Sequence, residues 1–294
     1  MESEVLEKYI KAGRIAADVR EESKSCVRPG ASLLEIAERL EALIREKGGE
    51  PAFPVNLSLN DEAAHYTPTL VDERKITESD VVKVDVGVHV DGYIGDTACT
   101  IVFDGKHENL VKAAEAALDK AVPLCVPGQL VDEISGVIED TIKGYGYLPV
   151  SNLTGHGLKQ WQGHAEPTIH NVRVNYNLRL QEDEVIAIEP FATNGAGMIK
   201  DSEPVVIFSL FSRKPVRNPD ARKIIQQLEA FSGLPFSERW IKGISPFKIR
   251  LAMRELRQAN ALYEYPVLKE VRKGIVSQAE HTIIVKENPV VTTK

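Results

Sequence analysis

The stretch Val81–Phe103, reading VVKVDVGVHVDGYIGDTACTIVF, has few conformations open to it other than a two-stranded hairpin. At its centre stands Asp91-Gly92, a pair favoured by the two-residue type I′ turn because both central residues need φ > 0. That turn pairs Val90 with Tyr93, so Asp85 falls opposite Ala98 and Asp96 opposite Gly87. Alternate side chains of a strand share a face. Val82, Val84, Val86, Val88 and Val90 then form a core face with Tyr93, Cys99, Ile101 and Phe103. The opposite face carries Asp85 and Asp96 as a diagonal pair, roughly 7–8 Å apart at the backbone. Gly87 and Ala98 leave room beside them. Two carboxylates converging on a half-buried face repel unless a cation or a shared proton intervenes, which makes a metal site the first expectation. Plainer uses stay open at this point. Asp85 could pair with Lys83 on the same face, Asp96 could be a surface acid near the turn, and a bulge would put the two on opposite faces.

The rest of the chain narrows the setting. Its 294 residues suffice for a large core in one or two domains. A net charge of −7 argues against a general nucleic-acid-binding surface, and no specific nucleic acid is expected as partner. Cys26, Cys99 and Cys125 are odd in number and far apart, which suits buried thiols in a reducing compartment. The charged, helix-patterned start MESEVLEKYIKAGR has no signal-peptide core, and no apolar run reaches membrane-spanning length. A cytoplasmic protein with no membrane partner is expected.

Apolar residues at three- and four-residue spacing predict a helix over 3–25, broken at Pro29-Gly30. Ser32 with Glu35 reads as a capping box opening a second helix that runs to about Lys47 and stops at Gly48-Gly49. The arrangement recurs 98 residues later. Pro127-Gly128 repeats the break, Glu133-Ile134 matches Glu35-Ile36, Gly146 matches Gly48 and Pro149 matches Pro51. A helix from about His107 to Val122 precedes the second copy. Strand regions follow each unit, Val81–Phe103 in the first and Glu184–Phe208 in the second. Two related halves about a pseudo-two-fold axis are therefore expected, with any site at their seam drawing on both. Residues 209–268 depart from this pattern as an inserted helical subdomain, with helices at about Asp220–Phe231 and Pro246–Tyr263 and many basic residues, Arg239 among them. That charge is read as a solvated face or the wall of a cleft. Strands from Gly274 to Val291 return to the second half, so 1–208 with 269–294 forms the main domain.

Three further segments carry ligand-type residues. His156 lies between two glycines, with His164 eight residues on after Gly163; Glu189 ends the apolar run VIAIEP; Glu280 opens a strand in QAEHTIIV. Singly these read as turn or surface residues. Asp85, Asp96, His156, Glu189 and Glu280 together make four carboxylates and one imidazole, a set that is destabilising when buried unless cations balance it. Two divalent ions would do so. The mixed O/N ligands suit Mn, Co, Fe or Zn without choosing among them, and a metal pair of this kind supports hydrolysis.

Six motifs in order carry a resemblance over essentially the whole chain: AHYTP at 64–68, KVDVG at 83–87, GDTA at 95–98, NLTGH at 152–156, AIEPF at 187–191 and QAEHT at 278–282. The chain resembles a type II methionine aminopeptidase of the short archaeal kind, a metallopeptidase of the pita-bread fold. The resemblance implies an α/β (α+β) architecture: a curved antiparallel sheet with flanking helices in two pseudo-symmetric halves. It implies two divalent metal ions, with Asp85 on one, His156 and Glu189 on the other, and Asp96 and Glu280 bridging. Glu189 would also shuttle the proton of a bridging hydroxide. His65 and His164 would contact substrate and stabilise the tetrahedral intermediate. Phe53, Phe191, Tyr265 and Leu268 would wall a methionine pocket. The implied reaction removes the initiator methionine from nascent polypeptides with a small second residue, near the ribosome, by a monomer.

Ala279 stands where such enzymes usually carry Phe, and Gly163 where they carry a larger apolar residue; both bear on pocket width. Two other readings are an X-Pro-cleaving peptidase of prolidase or aminopeptidase P type, and a non-catalytic ribosome- or RNA-associated relative. The insertion and Tyr265 speak against the first, the filled ligand positions and acidic charge against the second.

Overall fold

The structure, a computed structural model, describes residues 1–294. Helix α1 (Ser3–Cys26) and helix α2 (Leu33–Glu46) open the first half. Ser32 caps α2, its hydroxyl accepting from the Glu35 amide. Helices α3 (Glu108–Ala121) and α4 (Val131–Gly144) open the second. The 98-residue repeat extends to the backbone bonds. Gly30 donates to the Ile76 carbonyl at 2.7 Å and Gly128 to Leu180 at 2.8 Å; Leu33 donates to Arg74 and Val131 to Leu178. Gly48 and Gly146 end α2 and α4 at φ 82° and 83°. Pro51 then pairs with Val88, and Pro149 with Ala192.

The hairpin spans Val82–Val90 and Tyr93–Ile101 and keeps the expected register, with Val90 opposite Tyr93, Asp85 opposite Ala98 and Gly87 opposite Asp96. Asp91 and Gly92 have φ 51° and 84°, as a type I′ turn requires. Val82–Val90 also pairs with Glu50–Pro51 and Asn56–Leu59, completing a four-stranded sheet. Val82, Val84, Val86 and Val88 of its valine face are fully buried under α1 and α2, in a cluster with Ile15, Val19, Leu33 and Leu40, and Val90 packs half-buried at its edge. A matching cluster under α3 and α4 holds Leu110, Ile134, Ile138, Ile186 and Ile188. Each such aliphatic side chain contributes about 1.5–3 kcal/mol when buried.

The second half's five-stranded sheet runs Val290–Val291, His281–Ile284, Val185–Ile188, Thr154–Lys159, Gln162–His170. Phe191–Thr193 lies between Val276–Gln278 and Leu148–Pro149 in a smaller sheet. The expected strand region 184–208 is divided by Glu189-Pro190, where proline lacks the ladder donor, and by the turn near Gly197, before Ile199–Leu210 begins. Across the seam between halves the Glu280 amide donates to the Ala98 carbonyl at 3.1 Å. Threonine hydroxyls add to it: Asp96 N–H to Thr282 Oγ1, Thr97 Oγ1 to the Glu280 carbonyl, and Thr100 Oγ1 to the Gln278 carbonyl, each at 2.7 Å.

Helices α5 (Pro219–Leu228) and α6 (Pro246–Gln258) fall between two paired strands, Ile199–Leu210 and Leu262–Glu270. They share a separate core of Ile224, Leu228, Phe236, Ile249, Met253 and Leu256. Helix α6 stops five residues short of Tyr263, because Asn260 takes φ 52° and the β-patterned Leu262–Glu270 pairs instead. The three cysteines are unpaired. No helix is long and apolar enough to cross a membrane.

Candidate metal centre and active site

The hairpin delivers Asp85 and Asp96 to one end of a cavity of about 180 Å³, with Asp96 only 5% exposed. Lys83 takes no part in an Asp85 pair: it is fully buried and its Nζ donates to the Asn60 carbonyl at 2.8 Å. The space above Gly87 is not free either. The Phe53 ring lies against Gly87 where a Cβ would stand, so this glycine seats an aromatic wall of the cavity.

From the second half comes His156, in the strand Thr154–Lys159 rather than a turn. It pairs opposite Thr168 on one side and Ala187 on the other. Its flanking glycines permit that position. A Cβ on Gly155 would strike the Ala187 carbonyl, and one on Gly157 the Glu166 carbonyl. Glu189 follows Val185–Ile188, and Glu280 stands between Val276–Gln278 and His281–Ile284. Ligand atoms of Asp96, His156 and Glu280 lie within 4.8 Å of one another. Glu189 joins them through its Oε1, 3.5 Å from His156 Nε2. Asp85 and Glu189 are linked by Gln278, whose amide nitrogen lies 3.3 Å from Asp85 Oδ2 and 3.5 Å from Glu189 Oε2.

Gln278 was hidden from sequence reasoning, as were Asn56, Ile207 and Pro235 on the cavity wall. The second half's strand pairing sets Gln278 opposite Phe191, as Asp96 stands opposite Gly87 in the first.

Burial raises all four carboxyl groups, and mutual repulsion adds to it for Asp96, Glu189 and Glu280; Asp85 is pushed up to about 7. One oxygen each of Asp85, Asp96 and Glu280 is buried without any hydrogen-bond partner. Buried, unsatisfied carboxylate oxygens are costly. Three of them pointing into one cluster beside an imidazole fit divalent cations well. His156 Nδ1 faces the Gly157 carbonyl at 3.3 Å, so that nitrogen carries the proton and Nε2 keeps a lone pair toward the acids, as a metal ligand needs.

His164 lies beside His156, ring centroids 4.3 Å apart. His65, also lining the cavity, directs Nδ1 to the Pro266 carbonyl at 3.2 Å and packs edge-on to Tyr265. Burial lowers both histidines, and His164 helps lower His65 to about 4, so both are neutral at physiological pH. Phe53, Phe191, Tyr265 and Leu268 line the apolar side with Ala64 and Ile207. All eleven residues singled out in the sequence thus meet at this one cavity. A larger cavity, about 550 Å³ between α1 and the 158–185 region, gathers no comparable set.

Residues 7–287 match metallopeptidase family M24. The chain is 46% identical, over the full length of both, to the methionine aminopeptidase of Methanocaldococcus jannaschii. It superposes on a thermophilic Arx1 with a TM-score of 0.86 at 20% identity, covering 99% of this chain and 91% of that one. On the methionine aminopeptidase of Thermotoga maritima the TM-score is 0.73 at 21% identity, covering 100% and 98%. The fold is the pita-bread architecture of these proteins, and with a family match over nearly its whole length the chain belongs to metallopeptidase family M24.

Proposed function

We propose that the protein is a metal-dependent aminopeptidase that removes the initiator methionine from nascent chains with a small second residue. One observation carries this reading: four carboxylates, Asp96 and Glu280 buried and Asp85 and Glu189 half-buried, converge with a histidine whose Nε2 is free of its proton beside a cavity sized for one side chain. At about 180 Å³ it is smaller than the roughly 300–1,000 Å³ of drug-sized ligand sites. The full-length relative in Methanocaldococcus jannaschii is a methionine aminopeptidase, which supports the substrate.

In this reading Asp85 would help hold one divalent ion and His156 with Glu189 the other, with Asp96 and Glu280 shared between the two. When bound, such a pair polarises the scissile carbonyl and makes a nucleophile available at neutral pH. The remaining roles belong to the chain's own side chains. Glu189 takes a proton on its carboxylate and passes it to the leaving amine. His65 keeps its proton on Nδ1 toward Pro266, so Nε2 accepts a hydrogen bond from a substrate N–H. His164, neutral and beside His156, is free to donate to the developing oxyanion without adding charge. Phe53, Phe191, Tyr265 and Leu268 exclude water and receive the methionine side chain. Residues 1–208 with 269–294 act as catalytic domain, and the inserted 209–268 supplies Pro235, Tyr265 and Leu268 to the cavity. Two ions drawn from Co, Mn, Fe or Zn, a monomeric state, and work in the cytoplasm near the ribosome complete the proposal.

The test is hydrolysis of Met-Ala-Ser against an X-Pro dipeptide after reconstitution with each metal. Release of methionine with little action on X-Pro is expected. Preference for X-Pro, or no peptidase activity with any metal, overturns the reading.

A further inference from the structure

Arg239 was expected on the solvated or cleft-facing basic surface of the insertion. Its side chain is instead 3% exposed and forms a bidentate pair with Glu41 of α2, itself 4% exposed, at 2.8 and 2.7 Å. The same guanidinium donates through Nε to the Pro68 carbonyl at 2.7 Å and through Nη2 to Thr67 Oγ1 at 3.0 Å. Glu41 also accepts from the Trp240 indole at 2.8 Å and from the Val55 amide at 3.3 Å. One buried ion pair therefore ties together three segments that line the cavity: 53–56, 65–68 and 235–240.

The segment it grips begins with a strained residue. His65 has φ 64°, a left-handed conformation that is unfavourable for a non-glycine residue and persists only where the surroundings enforce it. On the upstream side Ala64 is fixed by pairing with Leu268. Downstream, Tyr66 accepts from the Leu57 amide at 2.7 Å, and Thr67 and Pro68 are held by Arg239. Thr67 also donates to the Val55 carbonyl at 2.8 Å. Both ends of the bend are thus pinned. The downstream pin comes from the insertion, which contributes no metal-ligand candidate.

We propose that Arg239 is a positioning residue: through Thr67 and Pro68 it holds His65 in the strained conformation that aims its ring at the substrate. The inserted subdomain then does more than wall the cleft; it sets the geometry of one substrate contact. This rests on the substrate-contact role given to His65 above. Lysine cannot replace Arg239, because four directed donors from one planar group reach two carboxylate oxygens, a carbonyl and a hydroxyl at once.

The test is a set of double-mutant cycles on the metal-loaded enzyme with Met-Ala-Ser. In the wild-type background R239K is expected to lower kcat/KM by about ten- to a hundred-fold, since small misplacements of a contact group are costly. With H65A already present the further loss should shrink to about two-fold or less, whereas in H164A it should persist in full. In the metal-free protein, the imidazole resonances that vanish in H65A should shift or broaden in R239K. Equal losses in all three backgrounds, no loss in any, or unchanged His65 resonances overturn the proposal. Should R239K not fold, R239M/E41Q takes its place, removing both charges so that neither is left buried alone. A wild-type enzyme inactive on Met-Ala-Ser with every metal overturns the functional reading instead, and the resonance comparison still decides whether Arg239 positions His65.

Discussion

Glu280 and Asp96 each bury an oxygen that nothing in the protein satisfies, whereas His164 stands one ring away from the acids. The two kinds of residue should separate cleanly on substitution. Glu280→Ala or Asp96→Ala should release metal and abolish turnover; elemental analysis showing unchanged metal content would count against their bridging role. His164→Ala should keep the metal and lower kcat by about 10²–10³, the usual loss for an oxyanion donor. Metal lost from that variant would make His164 a ligand. At this scale the sequence was informative wherever a short-range rule applied. Asp85 and Asp96 were legible because strand alternation and a two-residue turn leave them one face to share. Gln278 was not, because its partners, Asp85 and Glu189, come from separate halves. Arg239 was misread for a related reason: in sequence it is one more basic residue, and Glu41 lies far back in α2.

Among elements, the tips of two hairpins deserve comparison. The first turn, Asp91-Gly92, receives the second, Gln160-Trp161: the Trp161 amide donates to the Gly92 carbonyl at 2.8 Å and Gln160 Nε2 to the Asp91 carbonyl at 2.9 Å. The indole lies against Gly92 where a Cβ would sit, and edge-on to His89. The second hairpin carries both His156 and His164, so this contact fixes the site's second wall against its first. Gly92→Val combines φ strain with a clash. It should cost about 2 kcal/mol or more and lower Tm by about 3 °C or more in calorimetry; a Tm within a degree of wild type would show the tip contact to be idle. The hairpins and four helices of the halves were legible from periodicity and turn chemistry. The end of α6 was not, because helical spacing continued past Gln258, and only pairing with Ile199–Leu210 decides that Leu262 begins a strand.

Over the whole molecule, the acids of the centre oppose folding until a cation arrives. Their carboxyl groups sit above the usual range, Asp85 near 7, so the metal-free fold binds more protons than the unfolded chain. Stability of the metal-free protein is therefore fullest below about pH 4, the unfolded value, and is lost as pH rises through about 7. Metal binding displaces those protons. The rise in Tm on adding a divalent ion should be larger near neutral pH than near about pH 5 by scanning calorimetry. An equal rise at both would mean that the acids are already ionised without metal. Duplication was legible at this scale from Pro-Gly breaks 98 residues apart. The seam was not, since threonine hydroxyls make several of its bonds and threonine is common in any strand.

The chain has two tryptophans, and each stands at a joint. Trp161 bridges the two halves at the hairpin tips, while Trp240 hydrogen-bonds Glu41 where the insertion meets α2. Intrinsic fluorescence is thus a two-channel reporter. W161F leaves light only from the insertion's attachment, and W240F only from the closure between halves, so denaturant titrations of the pair would show which joint yields first.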